Sequence, residues 1–179
     1  MLEKEVEGMG YALAKAADAF IVAKLDGGAS GNDIDLSSDN TMSAANLRTA
    51  ITTLRNEDVS PEDGDVALVV NADVYGSLFA ISDFVDASKF GSGAPAHSGN
   101  FGMIYGIPVY SSTAVSNATA DGSNVGYMFH KSAVAFARQS GPRVMSAPSL
   151  ANIGTEIVSD LLYGGATVFD NRIVTFTNP

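Results

Sequence analysis

The two histidines are the residues best suited to acid–base chemistry, and each has a serine close by. His97 precedes Ser98 in a loop rich in glycine and serine (residues 91–100), and His130 stands two residues before Ser132. Either pair could be drawn as a serine–histidine–aspartate triad, but triads are recognised by geometry and nothing in the spacing supports one. The sequence has no nucleophile elbow, Walker loop, dinucleotide fingerprint or H-E-x-x-H motif. We therefore predict no catalytic residue and no cofactor site.

The second candidate for chemistry is an acidic run at residues 26–40, DGGASGNDIDLSSDN. Four of its side chains alternate like the first ligands of a calcium loop: Asp33, Asp35, Ser37 and Asp39. However, Ser38 occupies the position of the turn glycine, and Ala44 occupies that of the bidentate glutamate. We predict a solvated connecting loop here and no metal site.

Composition narrows the possible functions further. The 179 residues are 46% hydrophobic and 17% charged, which is enough apolar content for one well-packed domain or one domain with an inserted lobe. The net charge of -10 argues against electrostatic binding of nucleic acid or of an anionic membrane. No cysteine is present, and the acidic start MLEKEVEGMG differs from a signal peptide. We expect the chain to be made in the cytoplasm.

Helical periodicity is strongest in the first half of the chain. A narrow apolar seam predicts a long helix over residues 3–24, formed by Leu2, Val6, Met9, Leu13, Ala16 and Phe20. Ser43 and Asn71 are suitable N-caps for a second helix that ends near Asn56 and a third that ends near Asp83. Residues 132–138, SAVAFAR, predict a short fourth helix, which His130 would precede.

The predicted strands are concentrated in the second half. Residues 66–70 form an apolar run suited to a strand buried on both faces. Residues 101–115 predict two short strands around a Gly106–Pro108 corner, and a polar loop follows at 116–124. Further strands or extended segments are predicted at 127–129, 142–148, 153–163, 167–169 and 173–176, with turns at Gly164–Gly165 and Asp170–Asn171. The composite is an α+β fold.

From about residue 60 to the end, the order of these features resembles the C-terminal half of the major capsid proteins of tailed bacteriophages. That family has the Hong Kong 97-type capsid fold. The segments that carry the resemblance are VVNADVY at 69–75, residues 84–90, GMIYGIPV at 102–109 followed by Ser111 and Ser112, HKSAVAFA at 130–137, and YGGATV at 163–168.

The resemblance implies a peripheral (P) domain, built on a long spine helix and late strands, with an axial (A) domain inserted in it. By this resemblance the P-domain comprises residues 1–42 and 142–179, with the spine helix at 3–24 and the late strands at 153–177. The A-domain comprises residues 43–141. Full-length relatives also have an N-terminal arm and an extended loop before the spine helix. Neither is present here, so we expect a truncated or processed chain and predict no lysine crosslinking.

The implied function is that of a virion subunit that assembles with identical copies, as pentamers and hexamers, into an icosahedral shell. Such a shell encloses double-stranded DNA without recognising its sequence and does not involve a membrane; scaffolding and decoration proteins are further partners of such subunits. Two alternatives stay open. One is the shell protein of an encapsulin-type nanocompartment, which shares the fold. The other is a small enzyme or ligand-binding domain with residues 91–100 as a lid around His97.

Overall fold

The computed structural model of the protein describes residues 2–27, 31–36, 41–81, 102–116, 123–149 and 154–178. These residues form three α-helices, eight β-strands and two short 3-10 helices at Pro61–Asp63 and Asp170–Arg172. The helices are α1 (Leu2–Asp26), α2 (Ala44–Asn56) and α3 (Ala72–Leu78). The strands are β1 (Asp33–Asp35), β2 (Val66–Val70), β3 (Met103–Ile104), β4 (Ile107–Ser111), β5 (Asn124–His130), β6 (Val134–Ser149), β7 (Gly154–Thr167) and β8 (Ile173–Thr177).

Six strands form one mixed sheet in the order β1-β8-β5-β2-β4-β3. β2 pairs in parallel with β4 and antiparallel with β5, so that β2 lies in the middle of the sheet. One face of the sheet is covered by α2 and α3, and the main core lies between them. This face is lined by Val66, Leu68 and Val70 of β2 and by Val174 and Phe176 of β8, which are all essentially inaccessible to solvent. Each fully buried side chain of this kind stabilises the fold by about 1.5–3 kcal/mol.

The helices that cover the sheet begin where the sequence predicts. The Ser43 side chain accepts a hydrogen bond from the backbone N–H of Asn46, and the Asn71 side chain accepts one from that of Val74. Both N-caps are therefore confirmed, although α3 ends at Leu78, several residues before the predicted end. The predicted strand at 66–70 is confirmed as β2.

The other two strands form a separate, long two-stranded hairpin, β6–β7, and α1 lies along one of its faces. The Tyr163 hydroxyl donates to the carbonyl of Ala16 (3.4 Å), and the Thr167 hydroxyl donates to that of Lys24 (2.6 Å). Because the later residue of β7 contacts the later residue of α1, the helix and β7 run in the same direction. The long helix predicted at residues 3–24 is confirmed as α1.

The C-terminal end of α1 connects this unit to the six-stranded sheet. Leu25 is buried in a second, smaller core with Tyr127 of β5 and Ile173 of β8. The chain crosses between the two units twice more, through residues 131–133 and 168–172. Backbone N–H groups of Val168 and Phe169 both donate to the carbonyl of Ala133, which binds the two crossings together.

Several predicted elements of the second half are wrong. Residues 131–133 form a turn and β6 starts at Val134, so that 132–138 is not helical. Gly164 and Gly165 do not turn the chain, because β7 continues through them to Thr167. Residues 168–169 are not a strand. The predicted hairpin-like turn at Asp170–Asn171 is a 3-10 helix, and it joins β7 to β8, which belong to different sheets.

Other differences concern the ends of elements and the grouping of segments. The turn before β4 is at Tyr105–Gly106, since Ile107 and Pro108 already belong to the strand. The two sheets also group the segments of the chain differently from the predicted domains, whose boundaries are at 42/43 and 141/142. β1 and β8, which were both predicted to accompany the spine helix, pair with each other in the six-stranded sheet.

Candidate assembly surfaces

Of the two predicted histidine–serine pairs, the structure describes His130 with Ser132, because His97 and Ser98 lie outside the described residues. The His130 Nδ1 is 2.7 Å from the Ser132 hydroxyl oxygen and accepts a hydrogen bond from the Ser132 backbone N–H. Its Nε2 is 3.9 Å from an Asp65 carboxylate oxygen. The Asp65 carboxylate is 2.7 Å from the ammonium of Lys131.

The hydrogen bonds of Ser132 connect the two segments at which the chain crosses between the units, residues 131–133 and 168–172. The Ser132 oxygen also accepts a hydrogen bond from Arg172 at 2.9 Å, and Arg172 lies over the ring of Phe169. Ser132 is therefore held by groups from both crossings, and its contact with His130 is local in sequence. Four grooves formed by described residues are lined by other side chains. The contacts of Ser132 with His130 and Arg172 join neighbouring segments of the chain.

The aspartates of the calcium-like run lie at the edge of the six-stranded sheet. Residues 33–35 form β1 rather than a loop, and Ser37 and Asp39 lie outside the described residues. Asp33 accepts a hydrogen bond from the hydroxyl of Thr175, and Asp35 accepts one from that of Thr177 (2.9 Å). Within the described part of the chain, no three potential metal ligands of the histidine, cysteine, aspartate or glutamate type come together.

The face of β6–β7 that points away from α1, here called the outer face, carries large apolar side chains. Met145 and Val158 are register partners on this face, and Leu162 follows further along β7. These side chains are 51%, 47% and 54% exposed, respectively. An ion pair between Arg143 and Asp160 lies among them, and the hydrogen bond from Arg143 lowers the pKa of Asp160 below its ordinary value. A two-stranded hairpin with one uncovered apolar face is marginally stable by itself.

The inner face of the hairpin fits α1 closely. The ring of Phe20 meets that of Tyr163 edge-on, with 5.1 Å between the centroids. Gly165 lies beneath this contact, where an added Cβ would be 2.7 Å from the carbonyl oxygen of Ala135 and 3.2 Å from the Phe20 ring. The hairpin and helix can approach this closely because residue 165 has no side chain.

The second face of the six-stranded sheet is only partly covered. The C-terminal turns of α1 cover it near Tyr127, but Met103 and Tyr110 remain well exposed at the β4–β3 end. An apolar groove of about 340 Å³ runs between α1 and this face, and its lining includes Val69 and Phe129. Its lining is mainly apolar, and its polar members are Asp18, Tyr110 and Ser112.

A second groove, of about 460 Å³, lies on the side of the sheet that α2 covers. It is lined by Arg48, Ile51, Thr52 and Arg55 of α2, by Pro61 and by Tyr105. Arg48 and Thr52 are exposed, and Tyr105 belongs to the turn between β3 and β4. The groove therefore brings two arginines to the β3 edge of a protein whose net charge is -10.

A buried tyrosine connects the end of α1 to the sheet. The Tyr127 hydroxyl donates to the carboxylate of Asp26 at 2.9 Å, and the Asn124 side-chain amide donates to the same oxygen. Burial, reinforced by the hydrogen bond to Asp26, raises the pKa of Tyr127 well above its ordinary value near 10. Because the phenol stays neutral, this contact positions the helix rather than performing acid–base chemistry.

The long helix on an open hairpin and the sheet with free edges leave exposed surfaces that suit association with other chains. The chain belongs to the phage capsid protein family, whose family model matches residues 2–174. No curated protein sequence matches it significantly. The family match favours the capsid interpretation among those that the sequence left open.

Solved structures agree with this assignment. A structure from Mycobacterium phage Che8 is 23% identical, with a TM-score of 0.77 over 98% of this chain and 63% of that one. The capsid of cyanophage P-SCSP1u is 17% identical, with a TM-score of 0.78 over 100% of this chain and 66% of that one. The acid-stable capsid of Helicobacter pylori phage KHP30 is 16% identical, with a TM-score of 0.73 over 99% of this chain and 68% of that one. The predicted Hong Kong 97-type fold is confirmed.

The chain thus spans about two thirds of the length of these relatives. Sequence reasoning missed both candidate surfaces, the outer face and the arginine groove. For the first, the sequence offers no periodic signal, because the apolar residues of β7 occur as adjacent pairs, Ile157–Val158 and Leu161–Leu162. For the second, Arg48 and Arg55 lie seven residues apart and hence on one side of a helix.

Proposed function

We propose that this chain is the shell-forming part of a major capsid protein of a tailed bacteriophage. In this proposal, identical copies assemble as pentamers and hexamers into an icosahedral shell that encloses double-stranded DNA. Residues 2–26 with the β6–β7 hairpin act as the P-domain, and the six-stranded sheet with α2 and α3 acts as the A-domain. The chain acts in the virion and not as an enzyme.

The observation that carries this proposal is the outer face of β6–β7. Isolated apolar side chains are common on protein surfaces, but three large, exposed apolar side chains around an ion pair on one face of a thin hairpin favour a surface that is buried in an assembly. Burial of such a face by a neighbouring subunit would supply the third layer that the α1–hairpin unit lacks. Interfaces that repeat between identical subunits build closed assemblies.

The excess of acidic over basic residues is consistent with a shell that encloses DNA. Binding of phosphate groups requires neutralisation by lysine or arginine, and this chain has 10 such residues against 20 acidic ones. An acidic inner wall would let packaged DNA slide without adhering. We propose, accordingly, that the genome is enclosed without base-specific contacts.

The test is the mass of the purified chain by light scattering, with negative-stain images of the same sample. We expect ring-shaped or closed particles for the wild type and a shift to the 18.5 kDa monomer for Leu162→Lys. The lysine places an ammonium in the middle of the outer face, where burial would require its desolvation. Leu162→Met is the matched control, because it keeps an apolar side chain of similar volume.

Two results would contradict the proposal. One is a wild-type chain that stays monomeric at every concentration tested. The other is a Leu162→Lys variant that assembles as well as Leu162→Met, because the outer face would then be exposed in the assembly too. Circular dichroism of both variants shows whether the monomer is folded.

A further inference from the structure

The two edges of the six-stranded sheet have opposite charge character. β1, at one edge, carries Asp33 and Asp35, whose side chains are exposed. At the other edge, the arginine groove lies beside Tyr105 in the turn that follows the edge strand β3. The sheet therefore has an acidic edge and a basic edge, about five strand spacings or roughly 24 Å apart.

The two features also lie on opposite faces of the sheet. Asp33 and Asp35 pair in register with Thr175 and Thr177 and share their face, which is the face that α1 partly covers. The arginine groove belongs to α2, on the other face. If two copies are related by a rotation about an axis roughly perpendicular to the sheet, the acidic edge of one overlies the basic edge of the next.

The groups at the two edges have hydrogen-bonding capacity left. Asp35 uses Oδ1 for the Thr177 hydroxyl, and no hydrogen bond from the described residues engages its Oδ2. Arg48 uses Nε for the carbonyl of Ala44, and within the described part of the chain its two terminal nitrogens make no hydrogen bond. An arginine with its terminal nitrogens available is suited to a carboxylate acceptor.

We propose that the arginine groove of one subunit receives the β1 edge of the neighbouring subunit, with Arg48 bound to Asp35 of that neighbour. The contact is heterologous, since it joins two different surfaces, and its repetition by rotation closes a ring. The occupant is a second copy of this chain, selected by charge complementarity. This inference rests on the proposed function, because it specifies one contact within the proposed capsomers.

The test uses charge reversal in the full chain. Arg48→Glu and Asp35→Arg each place like charges at the contact, and the double variant restores an opposite pair with the charges exchanged. Asp35 is preferable to Asp33, because the hydrogen bond of Asp33 to the largely buried Thr175 supports the pairing of β1 with β8. Arg138→Glu is the matched control, since Arg138 is exposed on the hairpin, away from the groove.

The measured quantity is the protein concentration at half-assembly, obtained by mass photometry at low and high salt. At low salt, we expect each single variant to raise the concentration at half-assembly about tenfold. The double variant should return this concentration close to the wild-type value. The Arg138→Glu control should leave it within about twofold, and the differences should shrink at high salt. Thermal unfolding of each variant checks that the monomer is intact.

The outcomes separate this contact from the proposed function. If the wild type assembles and the single variants assemble equally well, the contact is wrong and the shell function stands. If the double variant shows the sum of the two single effects, Arg48 and Asp35 do not meet, and the contact is again wrong. A wild-type chain that never assembles would overturn both.

Discussion

Gly165 offers the sharpest test of how α1 is held on the hairpin. A methyl group at this position would be 2.7 Å from the carbonyl oxygen of Ala135, whereas ordinary contact begins at 3.4 Å. The obstructing atom belongs to the backbone of β6, so that a change of rotamer cannot relieve the clash. The Phe20 ring at 3.2 Å blocks movement toward the helix.

We therefore expect Gly165→Ala to destabilise the α1–hairpin unit by about 1–3 kcal/mol, the usual cost of overpacking. The reduced entropy of the unfolded chain offsets about 0.4–1 kcal/mol of this. Gly164→Ala is the matched control, because no atom lies within 4 Å of the position of its added Cβ. It should be neutral or slightly stabilising.

Hydrogen exchange measures this effect where it occurs. We expect Gly165→Ala to raise the exchange rates of amides in β6, β7 and α1, while amides in the six-stranded sheet keep their wild-type protection. Urea unfolding followed by circular dichroism gives the total change in free energy. Equal stability of Gly165→Ala and Gly164→Ala would refute the close approach of helix and hairpin on which this reasoning depends.

Two further substitutions test the sheet and its connection to α1. Asn71→Ala should cost about 2–4 kcal/mol in urea unfolding, because it removes the cap to Val74 and the hydrogen bond to the carbonyl of Ser116; Asn71→Ser, which keeps a cap acceptor, should lose about half as much. The raised pKa of Tyr127 means that its phenol stays neutral in the folded protein while it ionises in the unfolded chain. Stability should therefore be complete below pH about 10 and fall as the pH rises above it. Urea midpoints of wild type and Tyr127→Phe across this range should converge as the pH increases, and parallel curves would contradict a raised pKa.

Local signals predict the helices and the central strand in the first half of the chain, but not β1, because residues 33–35 lie in a polar run and form a strand only by pairing with β8. Ser43 and Asn71 each precede an apolar pattern of helical period, and each caps a helix in the structure. The run at 66–70 is short, continuous and β-branched, and it forms the central strand β2. In these segments, local propensity and tertiary environment favour the same conformation.

The errors in the second half arise where a local sequence pattern is compatible with two different structures. Residues 132–138 fit a helical stripe, but Val134 and Phe136 also alternate as a strand requires, and pairing with β7 selects the strand. The Gly164–Gly165 pair predicts a turn. At Gly165 the structure gives another reason for glycine, since the space that a side chain would occupy is filled by β6 and Phe20.

The assembly surfaces could not be predicted from the sequence for a more general reason. Whether Leu162 faces a neighbour or the core depends on which face of β7 α1 covers, and that is decided by contacts such as Tyr163 with Ala16. Likewise, Asp35 and Arg48 lie near opposite edges of the sheet only because the strand order places β1 at one edge and β3 at the other. An active site concentrates its residues in one place, where motifs are recognisable. A subunit that works by association distributes them over surfaces that exist only after the chain has folded.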